Sequence, residues 1–220
     1  VYGIPANLFE ENCQIFLVPM VDPDGVDLVT GGIPLGSVQW EKAKNLAGNY
    51  PAVPFPNGWK ANLLGIDLNL QYPAGWLQAR EIKFSQGYTR PGPRDYVGKA
   101  PLTQRESRVL ADFTRYLDPA LILAYHTQGE QIYWKYDNID VPGALALGQE
   151  FARLSGYALA ETPYVSGFAG YKDWFIKTWR RPGFTIEAGL GENPLPLSQF
   201  DSIYAKNLGI LTTAALGLPE

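Results

Sequence analysis

The chain has 220 residues, of which 46% are hydrophobic and 18% charged, with a formal net charge of −4. This length allows one α/β domain with a sizeable core, and the composition argues against a disordered chain. The acidic balance gives no basis for nucleic-acid binding, no apolar run is long enough to cross a membrane, and a single cysteine excludes a cysteine-rich zinc site.

The first third of the chain is predicted to be mostly irregular. Residues 14–20 are rich in Ile, Phe, Leu and Val and predict a strand, which ends in a Pro-Asp-Gly turn before Gly25. Residues 30–62 are rich in Gly, Pro and Asn, and only residues 38–46 have the pattern of a short helix. Loops of this length in a compact domain are usually functional.

The best-marked helix is predicted to start at Thr103. Thr103 and Glu106 have the spacing of a capping box, in which a hydroxyl and a carboxylate each satisfy a free backbone amide. Val109, Phe113 and two leucines then form one apolar stripe, and the Asp-Pro pair at residues 118–119 ends the helix.

The second half of the chain alternates strands and helices, as α/β proteins do. Residues 121–126 read as a buried strand of parallel type, and so do residues 184–187. The other predicted elements are a return strand at 131–135, a helix from Pro142 to a glycine cap at Gly156 with Leu145 and Phe151 inward, and a last helix at 198–216 closed by Gly217.

His126 and Glu187 each end one of these two buried strands. Ligands of open α/β sheets bind beyond the carboxyl ends of the strands, so both residues are candidates for a functional site. Desolvation of a carboxylate beside an apolar strand end costs free energy unless the carboxylate is paired. Such surroundings commonly tune the pKa of an acid or a base. The structural alternative for His126 is a hydrogen-bonded residue at the rim of the core.

Several stretches, in this order, resemble the zinc carboxypeptidase family M14. They are Asp22-Pro-Asp-Gly25, Trp59-Lys60 followed by Gly65-Ile-Asp-Leu-Asn69, Tyr125-His126-Thr127, and Phe184-Thr-Ile-Glu187. Tyr72-Pro-Ala-Gly-Trp76 and the stretch from Gly191 to Phe200 resemble the bacterial branch that cleaves γ-D-glutamyl-L-diamino acid bonds in peptidoglycan stem peptides. The resemblance covers the whole chain. It implies one partial domain over residues 1–220, with a mixed, mostly parallel central sheet flanked by helices and without its N-terminal strands.

The resemblance also implies roles for single residues. His126 matches a zinc ligand and Glu187 the general base. Lys60 stands where the family usually has an arginine that stabilises the oxyanion, and Asn69 matches a substrate-binding asparagine. Tyr164 falls near the family's mobile catalytic tyrosine, although Tyr171 is a competing candidate.

One departure from the family concerns substrate choice. Leu70 replaces the arginine that clamps a C-terminal carboxylate in digestive carboxypeptidases, and a leucine side chain cannot bind that group. Arg80, Arg90, Arg94 and Glu130 therefore become candidates for binding the charged stem peptide, with solvated loop charges as the alternative for each.

The second departure concerns the metal. The family's other two zinc ligands come from an upstream His-x-x-Glu motif, and this chain has one histidine. We expect the chain to be the C-terminal portion of a catalytic domain, with zinc bound weakly or not at all and no activity alone, whereas the full-length parent has both. An open sheet edge left by the missing strands predicts self-association.

Two other functions remain open. The first is a non-catalytic module that binds peptidoglycan or peptide in the same cleft. The second is a hydrolase with paired carboxylates, Glu187 with Glu192 or Asp173. For a peptidase of stem peptides the expected location is the cell envelope, with the cytoplasm or forespore as alternatives, and no nucleic-acid partner or membrane span is expected.

Overall fold

The computed structural model describes Phe9 and residues 13–217, which form two compact units. The sheet unit comprises described residues up to 18, residues 120–162 and residues from 178 onward, and the helical unit comprises residues 19–119 and 163–177. The expectation of one domain over residues 1–220 stays a prediction. None of the described helices has the length and apolar character needed to cross a membrane.

The described residues form seven α-helices, four strands and three short 3-10 turns. The helices are α1 Pro23–Thr30, α2 Val38–Ala47, α3 Trp76–Ser85, α4 Arg105–Leu117, α5 Ala144–Ser155, α6 Tyr171–Trp179 and α7 Phe200–Leu216. The strands are β1 Ile122–His126, β2 Gln131–Tyr133, β3 Ala158–Ala160 and β4 Gly183–Glu187. The 3-10 turns are Leu68–Leu70, Tyr164–Ser166 and Leu197–Gln199.

The four strands form one sheet in the order β1-β4-β2-β3. β1 pairs with β4 and β2 with β3 in parallel, whereas β2 and β4 are antiparallel. The predicted α/β class with a mixed, mostly parallel sheet is therefore confirmed. The predicted return strand at 131–135 is observed as β2, which runs antiparallel to β1 with β4 between them. Phe184 and Ile186 of β4 are fully buried, and a central position pairs the backbone of this strand on both edges.

The core of the sheet unit lies on one face of the sheet. Ile132, Phe184 and Ile186 are fully buried there and pack with Phe151 of α5 and Ile210 of α7. The rings of Phe151 and Phe184 meet edge to face with their centroids 4.9 Å apart, an arrangement that adds to the energy of burial. The intervening residues of each strand, which include both candidate site residues, consequently point to the opposite face.

Helices α5 and α7 pack closely against each other through a glycine. A Cβ added at Gly209 would lie 2.9 Å from the Cβ of Leu154, so a side chain at residue 209 would push the helices apart. The predicted glycine cap of α5 is confirmed, since Gly156 has a φ of 74°. Leu145 was predicted to point inward but is exposed, because the buried positions of α5 are Ala144, Gly148, Phe151 and Ser155.

Helix α4 begins differently from the prediction. The hydroxyl of Thr103 donates to Gln71 or Ala100, and no side chain of the predicted capping box caps the helix. Instead the side-chain oxygen of fully buried Gln71 accepts from the backbone amides of Thr103 at 3.0 Å and Gln104 at 3.2 Å. A residue more than thirty positions away thus takes the amide of Thr103, which the carboxylate of the predicted capping box would have accepted.

The predicted apolar stripe of α4 is also wrong. Val109 and Phe113 are exposed, and the buried residues are Ser107, Ala111 and Thr114. The hydroxyl of Ser107 donates to the carbonyl of Leu68 at 3.1 Å, so small side chains let this helix lie against backbone. The predicted end is confirmed, because α4 stops at Leu117.

Residues 14–20, predicted as a strand, have no regular secondary structure. Ile15 and Leu17 are 60% and 80% exposed. None of the described strands pairs with this segment. A strand needs a neighbour to satisfy its backbone, and β-forming residues alone cannot supply one.

Helix α1 is capped by Asp22, whose carboxylate accepts from the backbone amide of Gly25 at 3.1 Å. Burial raises the pKa of Asp22 to about 7, and the negative charge of Glu106 adds to this effect. Asparagine can accept the same amide without a charge to desolvate.

We therefore expect Asp22→Asn to stabilise the protein at pH 8 and to have little effect at pH 4. Because the folded-state pKa lies above the ordinary value of 3.8, the folded protein binds more protons than the unfolded chain between about pH 4 and 7, and stability falls as pH rises through that range. Removing the charge should gain about 1–3 kcal/mol at pH 8 in urea unfolding. Asp201→Asn, at an exposed first-turn carboxylate of α7, is the control and should change the pH dependence little. An equal gain at both pH values would contradict the explanation.

Candidate active site

His126 and Glu187 lie side by side at the ends of neighbouring strands. They are paired in the parallel register of β1 and β4, and each is the last residue of its strand. Partners in register point to the same face, and adjacent strands lie about 4.8 Å apart. Both residues are half-buried. An imidazole and a carboxylate therefore share one edge and one face of the sheet, opposite the hydrophobic core.

Strand β2, on the other side of β4, adds two polar residues to this face. Gln131 of β2 is the register partner of Glu187 on its other side, and the hydroxyl of Tyr133 donates to the side-chain oxygen of Gln131. Burial raises the pKa of Tyr133, and the negative charge of Glu187 raises it further. Glu187 is thus bordered by His126 on one strand and by Gln131 and Tyr133 on another. The sequence did not single out Gln131 or Tyr133, although the predicted strand at 131–135 contained them.

The loops that follow β1 and β4 are joined by hydrogen bonds. The amide of Gly129 donates to the carbonyl of Gly189 at 2.8 Å, and the side chain of Asn193 donates to the carbonyl of Thr127 at 3.1 Å. The side chain of Gln199 bonds both backbone groups of Leu190, at 2.7 and 3.2 Å. These bonds hold the connection from residue 189 to residue 199 against the end of β1.

Glu130, a predicted substrate-binding residue, forms an ion pair in the structure. Its carboxylate accepts from the ammonium of Lys206, which also lies 5.7 Å from the ring centroid of Tyr157. The backbone of Glu130 is in the left-handed region, at a φ of 50°. The carboxylate is therefore already engaged within the sheet unit, and its role in binding substrate stays a prediction.

In the helical unit, Lys60 is held by a buried carboxylate. Its ammonium lies 3.3 Å from an oxygen of Asp67, which is almost completely buried, while the lysine side chain is 46% exposed. The attraction of Asp67 raises the pKa of Lys60, and desolvation opposes this effect. The lysine is therefore charged at neutral pH, and its ammonium is held by Asp67. Asp67 was not singled out from the sequence. Its location in the stretch Gly65–Asn69, which carries the family resemblance, was the only feature of the sequence that pointed to it.

Arg94, another predicted substrate-binding residue, belongs to the same network. Its Nε donates to Asp95 at 2.8 Å, and the ammonium of Lys83 lies 2.6 Å from the other oxygen of Asp95. The amide of Asp95 donates to Asp67 at 3.2 Å, which joins the two carboxylates through the backbone. Burial raises the pKa of Asp95, but the bonds from Lys83 and Arg94 outweigh it, and the net shift is downward.

Asn69 lies in the 3-10 turn Leu68–Leu70 and connects two segments of the helical unit. Its side-chain oxygen accepts from the amide of Tyr171 at 3.1 Å, and its own amide donates to Asp67 at 3.2 Å. The structure thus gives Asn69 a positioning function in the fold, and substrate binding through it stays a prediction.

The two tyrosine candidates differ in environment. Tyr164 is 72% exposed and its ring meets Phe168 edge to face. Tyr171 shares a hydrogen bond of 2.9 Å with the hydroxyl of Thr114, and its ring packs at a tilt against that of Tyr72. An exposed hydroxyl suits a catalytic group better than one engaged in packing, which favours Tyr164 over Tyr171.

The described residues do not complete a zinc site. Catalytic zinc takes three protein ligands and leaves one position open for water. No group of three His, Cys, Asp or Glu side chains in the described part of the chain is arranged to hold a metal ion. His126 and Glu187 provide at most part of such a set, so we derive no catalytic step through zinc bound to this chain alone.

The paired-carboxylate alternative gains no support from the placement of its residues. Asp173 is buried in an ion pair with Lys172, with 2.6 Å between Oδ1 and the ammonium. Glu192 is exposed on the loop after β4. A carboxylate that is neutralised and buried in this way is suited to stabilising the fold rather than to accepting a proton from water.

Comparisons with known proteins give consistent matches. The sequence profile of the zinc carboxypeptidase family, M14, matches residues 6–208. The gamma-D-glutamyl-L-diamino acid endopeptidase 1 of Lysinibacillus sphaericus is 50% identical over 210 residues, which are 96% of this chain and 51% of that protein. The chain spans about half the length of the curated relatives it matches.

Solved structures show the same fold at low identity. The carboxypeptidase A of Helicoverpa armigera superposes with a TM-score of 0.58 and 18% identity, over 92% of this chain and 52% of that one. The murein-tripeptide amidase MpaA of Escherichia coli O157 gives a TM-score of 0.50 and 18% identity, over 74% of this chain and 63% of that one.

Proposed function

Because the chain belongs to the zinc carboxypeptidase family, we propose that it supplies the general base and one metal ligand of a peptidase acting on γ-D-glutamyl-L-diamino acid bonds of peptidoglycan stem peptides. The observation that carries the proposal is the register pairing of His126 with Glu187 at the ends of two parallel strands. The relative with 50% identity, which is named as an endopeptidase for this bond, supports the choice of substrate.

In the proposed reaction Glu187 accepts a proton from the attacking water and delivers it to the leaving amine. Lys60 supplies positive charge to the carbonyl oxygen as negative charge develops on it. A lysine gives this charge without the two-pronged hydrogen bonding of an arginine. Zinc held by a complete ligand set would lower the pKa of water and polarise the carbonyl.

We further propose that the remaining zinc ligands come from residues that this chain does not supply. Its single histidine supports this view, and so does the lack of a three-residue donor set among the residues that the structure describes. The 220-residue chain should then bind zinc weakly and show no peptidase activity alone.

The test compares the chain with a longer protein that contains it. We expect about one zinc per molecule and chelator-sensitive hydrolysis of L-Ala-γ-D-Glu-diaminopimelate in the longer protein, and little of either in the 220-residue chain. Elemental analysis and product chromatography measure both. Stoichiometric zinc on the chain alone would overturn the proposal that the other zinc ligands lie outside it. Hydrolysis that survives chelation would overturn the proposal that the longer protein is a metallopeptidase.

The alternative function is a non-catalytic module that binds peptidoglycan peptides through the same residues. The incomplete donor set among the described residues favours it for the isolated chain. Stem-peptide binding without any metal-dependent hydrolysis by the longer protein would select this alternative. In both cases the substrate is a cell-wall component, which favours a location in the cell envelope over the cytoplasm or forespore, and cell fractionation with an antibody would decide.

A further inference from the structure

We propose that Arg94, with Lys60 beside it, forms a cationic site that binds the free α-carboxylate of the D-glutamyl residue in the substrate. This inference rests on the proposed function and names the substrate group that makes the γ-linked bond recognisable. Of the arginines considered from the sequence, only Arg94 has the surroundings for this function.

The two cationic residues project from neighbouring backbone segments. The amides of Lys60 and Ala61 both donate to the carbonyl of Pro93, at 2.7 and 2.9 Å. The amide of Asp67 donates to the carbonyl of Tyr96 at 3.0 Å. The chain on either side of Arg94 is therefore fastened to the segments that carry Lys60 and its counter-ion.

Buried carboxylates anchor both side chains while the charged groups stay accessible. Lys60 and Arg94 are 46% and 43% exposed, whereas the side chains of Asp67 and Asp95 are 1% and 10% exposed. Lys83, the third cation of the network, is only 12% exposed and has the role of a structural counter-ion. Holding two cations in place before a ligand arrives lowers the cost of ordering them on binding.

The charges and hydrogen-bond donors of the network suit one further carboxylate. The ion pairs of the network join three cations to two carboxylates, so these five groups together carry one unit of positive charge. Arg94 bonds Asp95 through Nε, and among the described residues its terminal nitrogens have no hydrogen-bond partner. A guanidinium can bind a carboxylate with two parallel bonds, which the terminal nitrogens are free to form with a ligand.

The chemistry of the γ-linkage identifies the ligand group. When glutamate is linked through its side-chain carboxyl, its α-carboxylate remains free, whereas an α-linked peptide has an uncharged amide at that position. A cationic site that binds the α-carboxylate therefore discriminates between the two linkages. Leu70 is buried in a hydrophobic cluster, which is consistent with selection by a different group from the terminal carboxylate.

The other arginines lack these features. The guanidinium of Arg80 lies 4.8 Å from the ring centroid of Phe84. Arg90 is exposed, and the hydrogen bonds it forms, both with the hydroxyl of Tyr50, use its backbone. Arg90 is therefore a matched control for Arg94, because its replacement removes the same charge from the same loop.

The test is a calorimetric titration of the 220-residue chain with two peptides that differ in one group. The first is L-Ala-γ-D-Glu-L-Lys amide, whose one carboxylate is the α-carboxylate of D-Glu, and the second has a carboxamide there. We expect the first to bind about 10-fold or more tightly than the second, since a charged hydrogen-bonded pair is lost. Arg94→Gln should remove this preference by lowering the affinity for the first peptide alone. Arg90→Gln should leave the preference unchanged.

Two further variants protect the test against misfolding. Arg94→Lys keeps the charge but cannot form the two parallel hydrogen bonds of a guanidinium, so it should retain part of the preference. Lys60→Gln should reduce the preference. Circular dichroism verifies the fold of each variant. Equal affinity for the two peptides, no binding of the acid, or equal effects of Arg94→Gln and Arg90→Gln would overturn the inference. If the longer protein fails to hydrolyse the peptide but the Arg94-dependent preference persists, the proposed function fails and the carboxylate site stands.

Discussion

Replacing Glu187 by glutamine is expected to lower kcat for γ-D-glutamyl bond hydrolysis by about 10²–10⁴-fold, the usual contribution of general acid–base catalysis. The longer, zinc-loaded protein is the enzyme to measure. Glutamine has nearly the same shape as glutamate and can keep its position opposite Gln131 and beside His126. It cannot accept a proton from water at neutral pH. KM should change little, because the carboxylate acts on the attacking water and not on the resting substrate.

The control for this experiment is Glu192→Gln, which removes an exposed carboxylate from the loop after β4. We expect kcat within about twofold of the wild type, as is usual for an exposed residue without buried partners. Steady-state kinetics and the zinc content of each variant are the measurements. A large loss in both variants would instead support the hydrolase with paired carboxylates. A small loss in Glu187→Gln with zinc retained would remove Glu187 from the mechanism.

The sequence predicted the strands that carry His126 and Glu187 because each is a short apolar run, which stands out in the sequence. The prediction that both are buried holds for the centre of β4, whereas β1 lies at the edge of the described sheet and its Tyr125 is exposed. The position of the two residues beyond the apolar runs then followed from a general rule for α/β sheets. Their register, with each opposite the other, is a property of the folded sheet that no single run contains.

The failures of prediction have a common cause in long-range contacts. Thr103 and Glu106 fit a local capping pattern, but Gln71, more than thirty positions away, accepts from the amides of Thr103 and Gln104. Residues 14–20 have the composition of a strand, yet none of the described strands pairs with them. Local propensity decides an element only where tertiary contacts agree with it.

The cationic residues of the candidate site in the helical unit could be predicted from the sequence. The carboxylates that hold them in place could not. The family resemblance pointed to Lys60, and the substitution at Leu70 suggested Arg94 among several cations. Asp67 and Asp95, which hold these two side chains, come together through backbone bonds between residues 60–67 and 93–96. Sequence spacing gives no sign of such bonds, and a buried carboxylate looks the same in the sequence as an exposed one.

The largest effect on stability is expected at the buried ion pair of Lys172 and Asp173. Each of these side chains is 4% exposed, and the ammonium lies 2.6 Å from Oδ1 of the aspartate. Asp173→Asn leaves Lys172 without this carboxylate in a site from which water is excluded, and it should cost about 3–5 kcal/mol in urea unfolding. Asparagine can still accept the hydrogen bond of 3.2 Å that the amide of Gly170 donates to Oδ2. The loss of stability therefore reports the removal of the charge and not the loss of this hydrogen bond.

Two comparisons separate the electrostatic effect from a general sensitivity of α6. The double variant Lys172→Met with Asp173→Asn removes both charges and should recover most of the lost stability, because no charge of this pair then stays buried without its counter-ion from the pair. Asp112→Asn breaks an exposed pair with Arg115, whose two side chains are 64% and 48% exposed, and should cost less than about 1 kcal/mol. If Asp173→Asn costs no more than Asp112→Asn, water reaches the buried pair and its charges are not desolvated. If the double variant is as unstable as Asp173→Asn, the loss comes from packing and the ion pair is not its cause.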